Sequence, residues 1–166
     1  QIRSYQQTGK DYRGELTPFY SISFNTDKTP LPIWFSLVFS NLSSTPEVQV
    51  RTGTAVAGVL VTIMAMGITC LLFSNYSTTL ITGLVFASSP WLIHFSRLAF
   101  EAQFALLGMF AFLYCFLTWQ KTNKTNFLYL SALTLGLTVY TYRTMSLLAP
   151  LLGVASFVLF YKQILT

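Results

Sequence analysis

Apolar residues run in long blocks along this chain, with short polar clusters between them. Residues 1–30 are the exception. Lys10, Asp11, Arg13, Glu15, Asp27 and Lys28 are spread there among aromatic residues, and Gly9, Gly14, Pro18 and Pro30 punctuate them. That pattern predicts loop with at most short helices. Residues 31–42 are rich in Trp, Phe, Leu and Val but number only about a dozen, against the roughly 20 that a spanning helix needs. With Trp34 and two prolines at its start, this run predicts a short helix in the membrane interface or a re-entrant segment. A Ser/Thr/Pro cluster between Asn41 and Pro46 ends it.

Five apolar runs follow, at about 53–73, 78–95, 102–119, 127–142 and 145–161. Each is apolar on every face, which marks a membrane helix rather than an amphipathic one. Gly53, Ala57, Gly67, Gly83, Gly108, Gly136 and Gly153 are expected to let neighbouring helices approach closely. The predicted class is an all-α membrane protein, with residues 1–50 as an outer loop and residues 51–166 as a transmembrane bundle.

Composition agrees. Hydrophobic residues make up 53% of the chain and charged residues 9%, with mean hydropathy +0.56, whereas a soluble domain carries about 25% charged residues. Between Gly53 and Gln120 the charged side chains are Arg97 and Glu101, with His94 beside them. The net charge of +5 does not indicate nucleic acid, because the basic residues form no stripe with interleaved aromatics. Cys70 and Cys115 sit inside apolar runs, so small buried side chains are expected there, not a disulfide or a metal site. The chain opens on Gln1, and residues 1–30 hold no signal-peptide-like stretch. If that segment lies outside the cytoplasm, a hydrophobic element is expected before it, and the sequence is expected to be a piece of a longer protein.

Charge also predicts orientation. Lys121 and Lys124 between the third and fourth runs, and Lys162 after the fifth, mark the cytoplasmic side. The amino-terminal loop, Arg51, the 94–101 turn and Arg143 then face outward. Arg97 and Arg143 oppose the positive-inside tendency, which is expected of cations retained for function. On this topology Asp11, Lys28, Arg51, His94, Arg97, Glu101 and Arg143 reach one outer face from separate segments. Ionisable groups at membrane depth are costly and usually serve a site. Several cations with a few carboxylates suit an anionic phosphate plus general-base chemistry. The plain alternative is that they end helices and meet lipid head groups.

Four blocks resemble a known family in the same order. They are TGKDYRGELTPFY with DKTPLPIW (Thr8 to Trp34), EVQVRTGTAVAG (Glu47 to Gly58), SPWLIHFSRLAFEAQ (Ser89 to Gln103) and YTYRTMSLLAPLL (Tyr140 to Leu152). They are similar to the first outer loop, the Arg-Leu-Pro-Ser-Ala segment, the Ser-Pro-Trp-His-Ile-x-Phe-Ser-Arg-x-Ala-x-Glu-Ala-Asn segment and the next outer turn of bacterial dolichyl-phosphate-mannose-protein mannosyltransferase-like enzymes. That group is glycosyltransferase family 39, of the GT-C class. The resemblance implies transfer of a sugar from a polyprenyl-phosphate donor to a protein, lipid or glycan on the outer face. It implies Lys28, Arg97 and Arg143 as phosphate contacts, and Glu101 and Asp11 as the acidic positions present. It implies no certain cofactor and leaves a divalent cation open.

The departures count too. The family's leading Asp-Glu pair, at the end of a first transmembrane helix, is absent, and Asp11 aligns with a later acidic position. Tyr12 replaces a common acid, Thr52 to Thr54 replace Leu-Pro-Ser, and Leu92 with His94 rearranges the Trp-His-Ile order. The 166 residues alone are therefore expected to be inactive. Two other classes compete with the enzyme: a transporter or flippase of lipid-linked sugars, and a non-catalytic membrane scaffold. A transporter is expected to put polar or broken-helix features at the midplane, whereas here the charges gather at one edge. Sugar, acceptor and oligomeric state are not legible.

Overall fold

The computed structural model describes residues 21–23, 26–28, 30–39, 45–98 and 100–165, together with Thr8 and Lys10. Two short strands come first, β1 (Ser21–Ser23) and β2 (Thr26–Lys28), paired antiparallel with Ile22 opposite Asp27. This hairpin departs from the expected loop. Strands of three residues are too short to show period-two alternation in a sequence.

The rest is helical: α1 (Pro30–Phe39), α2 (Pro46–Phe73), α3 (Tyr76–Ser88), α4 (Pro90–Arg97), α5 (Ala102–Thr122), α6 (Thr125–Thr138) and α7 (Met145–Leu165). Local chemistry sets the boundaries. Pro46 opens α2 after an extended Thr45, with Glu47 in the first turn, where the missing N–H does no harm and the helix dipole favours a carboxylate. Ser74 ends α2 in the left-handed region at φ 50°. Asn75 then caps α3, its side-chain oxygen accepting from Ser77 N at 2.9 Å. Asn123 closes α5 at φ 52°.

The apolar run at 78–95 is not one straight helix. Ser89 is held extended (φ −63°, ψ 116°) because it precedes Pro90, and α3 and α4 bend by 51° there. Among the described residues two helices, Arg51–Phe73 and Ala102–Thr122, are long and apolar enough to cross a membrane, or three if the bent pair is one span. The 14 residues of α6 reach roughly 21 Å, short of the ~30 Å hydrocarbon core; its helix stops at Thr138, and residues 139–144 turn. In α7, Pro150 lies within the helix and Phe160 leaves helical geometry (φ −118°). The molecule is an all-α membrane protein whose apolar runs are less uniform than their hydropathy suggests.

Contacts between helices fix their directions. Gly58 lies against Gln103, Gly67 against Tyr114, and Leu71 O accepts from Lys121 Nζ, so α2 and α5 run parallel. Gly83 meets Met66, and Thr54 on α2 bonds Ser96 on α4, so the bent pair returns antiparallel to α2. In the same way α6 runs against α5, with Gly108 on Thr138, and α7 runs against α6, with Gly153 beside Leu135. The core cluster of Phe112, Phe116 and Trp119, backed by Phe127, Leu128, Leu135 and Phe160, fills the Lys121 end. At the other end α1 packs on α2 through Ser36 and Gly53 and on α5 through Phe35 and Phe104, whose rings are 5.2 Å apart.

The small residues separate by role. A Cβ on Gly108 would sit 2.1 Å from Thr138 Cγ2, and one on Gly67 2.8 Å from the Tyr114 ring. Gly136 has nothing within 4 Å, so its expected packing role is not borne out. Cys115 is buried as expected, but Cys70 is exposed. Gly108→Ala is therefore expected to cost ~1–3 kcal/mol of stability through overpacking, since Thr138 is β-branched and its hydroxyl is tied to Leu135 O. Gly136→Ala should be neutral or stabilising. Thermal unfolding in detergent checks both, and equal midpoints for the two variants would contradict this packing.

Candidate active site

The helix directions bring the carboxyl end of α4, the amino end of α5 and the α6–α7 turn to one end of the bundle, beside the first turns of α2. Arg97 occupies the last turn of α4 with His94, where the negative end of the helix dipole favours cations. Both are exposed. Glu101 stands at the amino terminus of α5, half-buried, its backbone carbonyl accepting from Phe104 N at 3.1 Å. The positive end of the α5 dipole favours an ionised carboxylate there, and equally a bound phosphate.

Arg143 lies exposed in the 139–144 turn, its carbonyl accepting from Ser146 Oγ at 2.7 Å. Aromatic rings join this turn to the one bearing Arg97 and Glu101. Phe100 packs 6.2 Å from Tyr142, and Phe95 5.2 Å from Phe100. Arg51 is exposed in the early part of α2, at the same end. Lys28 closes β2, two positions before α1 begins; its side chain and the whole of Asp11 lie outside the described residues. Four of the sequence-picked residues, Arg51, Arg97, Glu101 and Arg143, thus come from three segments to one end. Lys121 and Lys124 sit at the other.

Two further side chains shape this end. Thr54 is 1% exposed. Its hydroxyl lies 2.9 Å from Arg51 O and 2.8 Å from Ser96 O, and shares one proton between them. That bond ties α2 to the residue preceding Arg97. Gln103 is 2% exposed, and its amide nitrogen is buried without a hydrogen-bond partner. Gln103, Trp91, Phe95, Phe100 and Tyr142 line a cavity of about 330 Å³ beneath the Arg97–Glu101 turn. Charge was the signal that selected candidates from the sequence, so neutral Gln103 escaped it, although an amide opening an otherwise apolar helix is visible there. Among the described residues no cluster of His, Cys, Asp and Glu could hold a metal ion.

The family model of dolichyl-phosphate-mannose-protein mannosyltransferases matches residues 27–166. The chain belongs to that family. No curated protein and no solved structure matches it. A mannosyltransferase family of this kind makes the chain mannosyltransferase-like and, at family level, a glycosyltransferase. Lys28, Arg97, Glu101 and Arg143 fall within the matched residues, and Asp11 precedes them. In this mannosyltransferase-like bundle, cysteines introduced at Arg97 and Arg143 in a Cys70→Ser, Cys115→Ala background are expected to react with a membrane-impermeant maleimide from one side. A cysteine at Lys124 should react only from the other. Labelling of positions 97 and 143 from opposite sides would dismantle the site.

Proposed function

We propose that the protein transfers a sugar from a polyprenyl-phosphate carrier to a protein, lipid or glycan hydroxyl at the extracytoplasmic face of the membrane. One observation carries the reading: the segments bearing Arg97, Glu101 and Arg143 lie at one bundle end in a chain of a mannosyltransferase family. The reaction needs two things there. As the acceptor oxygen attacks the anomeric carbon, its proton must go to a base. As the carbon–oxygen bond to the carrier breaks, charge builds on the departing phosphate and needs fixed positive charge near it. The guanidinium groups of Arg97 and Arg143 and the ammonium of Lys28 serve the phosphate; Glu101 is the carboxylate beside it, with Asp11 the second acidic candidate. Attack opposite the departing phosphate inverts the anomeric centre.

The 51° break between α3 and α4 is the one feature that also suits a transporter of lipid-linked sugars. Residues 88–91, which form it, carry no ionisable side chain, and the eight-residue α4 sets it only roughly 12 Å from the charged end. The enzyme reading therefore stands first.

The test is sugar release from a radiolabelled polyprenyl-phosphate donor by the full-length gene product carrying Lys28→Gln, Arg97→Gln or Glu101→Gln. Losing a charge-assisted hydrogen bond worth ~1.5–3 kcal/mol predicts a roughly 10- to 100-fold fall in kcat/KM for each variant. Normal turnover by all three variants overturns the assignment.

A further inference from the structure

We infer that Arg51 and Arg97 bind the donor's phosphate as a pair, and that the buried hydroxyl of Thr54 is the positioning group that holds Arg97 beside Arg51. The inference rests on the proposed function and adds to it a second arginine and the residue that fixes the pair. It begins from the hydrogen bonds of buried hydroxyls. Those of Thr118, Ser131 and Thr138 each turn back to a carbonyl three or four residues earlier. Thr54 does the same toward Arg51 O at 2.9 Å, and also reaches Ser96 O on another helix at 2.8 Å.

Both acceptors belong to arginine backbones. One is the carbonyl of Arg51 itself. The other, Ser96 O, shares a planar peptide unit with the nitrogen of Arg97, so holding it orients the start of that residue. Ser96 O is also among the last carbonyls of α4, which a helix leaves without donors of its own. α4 needs the tie: it has eight residues and follows a 51° bend, and helices under about 12 residues are marginal by themselves. α2, with 28 residues, does not. Loss of the hydroxyl therefore frees Arg97 and leaves Arg51 in place. One turn along α2 from Thr54, a Cβ on Gly58 would stand 3.3 Å from Ser96 Cβ, so α2 and α4 approach closely beside the bond. Arg51 lies three residues before Thr54, on the same side of α2.

The bond thus draws two exposed cationic residues to one oxygen atom. Like charges brought together repel, and an anion between them removes that cost. From α2 onward this end holds Glu47 and Glu101 against Arg51, Arg97 and Arg143, which leaves positive charge in excess. A sugar phosphodiester carries one negative charge, and the phosphate monoester that departs approaches two. A second guanidinium is matched to that gain.

The experiment measures binding of citronellyl phosphate, a water-soluble short-chain probe, to the full-length protein in lipid nanodiscs. Arg51→Gln and Arg97→Gln should each weaken it about 10-fold, as loss of one charge-assisted hydrogen bond requires. Thr54→Val, which keeps the shape and removes the hydroxyl, should also weaken it about 10-fold, and Thr54→Ser should stay within about 2-fold of wild type. In Arg97→Gln protein, Thr54→Val should change binding by less than about 2-fold, whereas a general loosening of the fold would add in full. The inference is overturned if Thr54→Val binds like wild type, if it weakens binding equally with and without Arg97, or if Arg51→Gln binds like wild type. In each of those cases a loss in Arg97→Gln leaves the proposed phosphate site standing. If Arg97→Gln binds like wild type, or wild type binds no probe, the parent reading falls and takes the pair with it. Should Thr54→Val fail to fold, cross-linking decides. Arg51→Cys with Arg97→Cys, in the Cys70→Ser, Cys115→Ala background, should be joined by a short bis-maleimide, and failure to join them overturns the pair.

Discussion

The close parallel approach of α2 to α5 is the constraint on which the charged end depends. Gly58 and Gly67 leave room for Gln103 and the Tyr114 ring, where a Cβ would stand 3.3 Å and 2.8 Å from them. Two helices that run parallel cannot be joined by a short loop, so the chain must return between them. The bent pair α3 and α4 makes that return. Thr54 then fixes its far end through Ser96 O, which sets Arg97 beside the start of α5. The polar residues meet because the helix register leaves them no other place.

Lipid sharpens the same constraint. With no water at depth, polar side chains must find partners inside the structure, and most here turn back on their own helix. Thr62, Thr69 and Thr118 each bond the carbonyl four residues earlier, at 3.1, 2.9 and 2.7 Å. Such bonds satisfy the hydroxyl without joining helices. Against that background Thr54 and Gln103 differ in kind: one bridges two helices, and the side-chain nitrogen of the other has no hydrogen-bond partner.

The class and the principal helices were legible because membrane solvation imposes long apolar runs that composition alone reveals. The break at Ser89 was less so. Pro90 was in plain view, yet the apolar residues on both sides read as one span, since hydropathy carries no angle. The β1–β2 hairpin is too short to leave a periodic trace. Glycine roles were legible only as a set, because Gly108 and Gly136 look alike in sequence and differ only in whether Thr138 or open space faces them. Arg97, Glu101 and Arg143 stood out by charge against apolar surroundings. Trp91 and Phe95 are a visible i, i+4 pair, but their continuation through Phe100 to Tyr142 exists only after folding.

The two ends also differ in what their described residues do. The Lys121 end is filled by packed rings, with Phe116 lying 5.4 Å from Trp119 and 5.3 Å from Phe160. Toward the Arg97 end lie cavities of about 150, 330 and 400 Å³. They open outward on one side and are not sealed voids, so surrounding lipid can fill them. Leu92 stands between the two larger cavities and lines both. Gly58 and Ser96 line the larger one, and a Cβ on Gly58 would stand 3.3 Å from Ser96 Cβ and from the Gln103 amide. The unpaired amide nitrogen of Gln103 lies at this end too, where the charges collect. Departures from local consistency of this sort are expected where a fold serves function, and here they share the end that carries Arg97, Glu101 and Arg143.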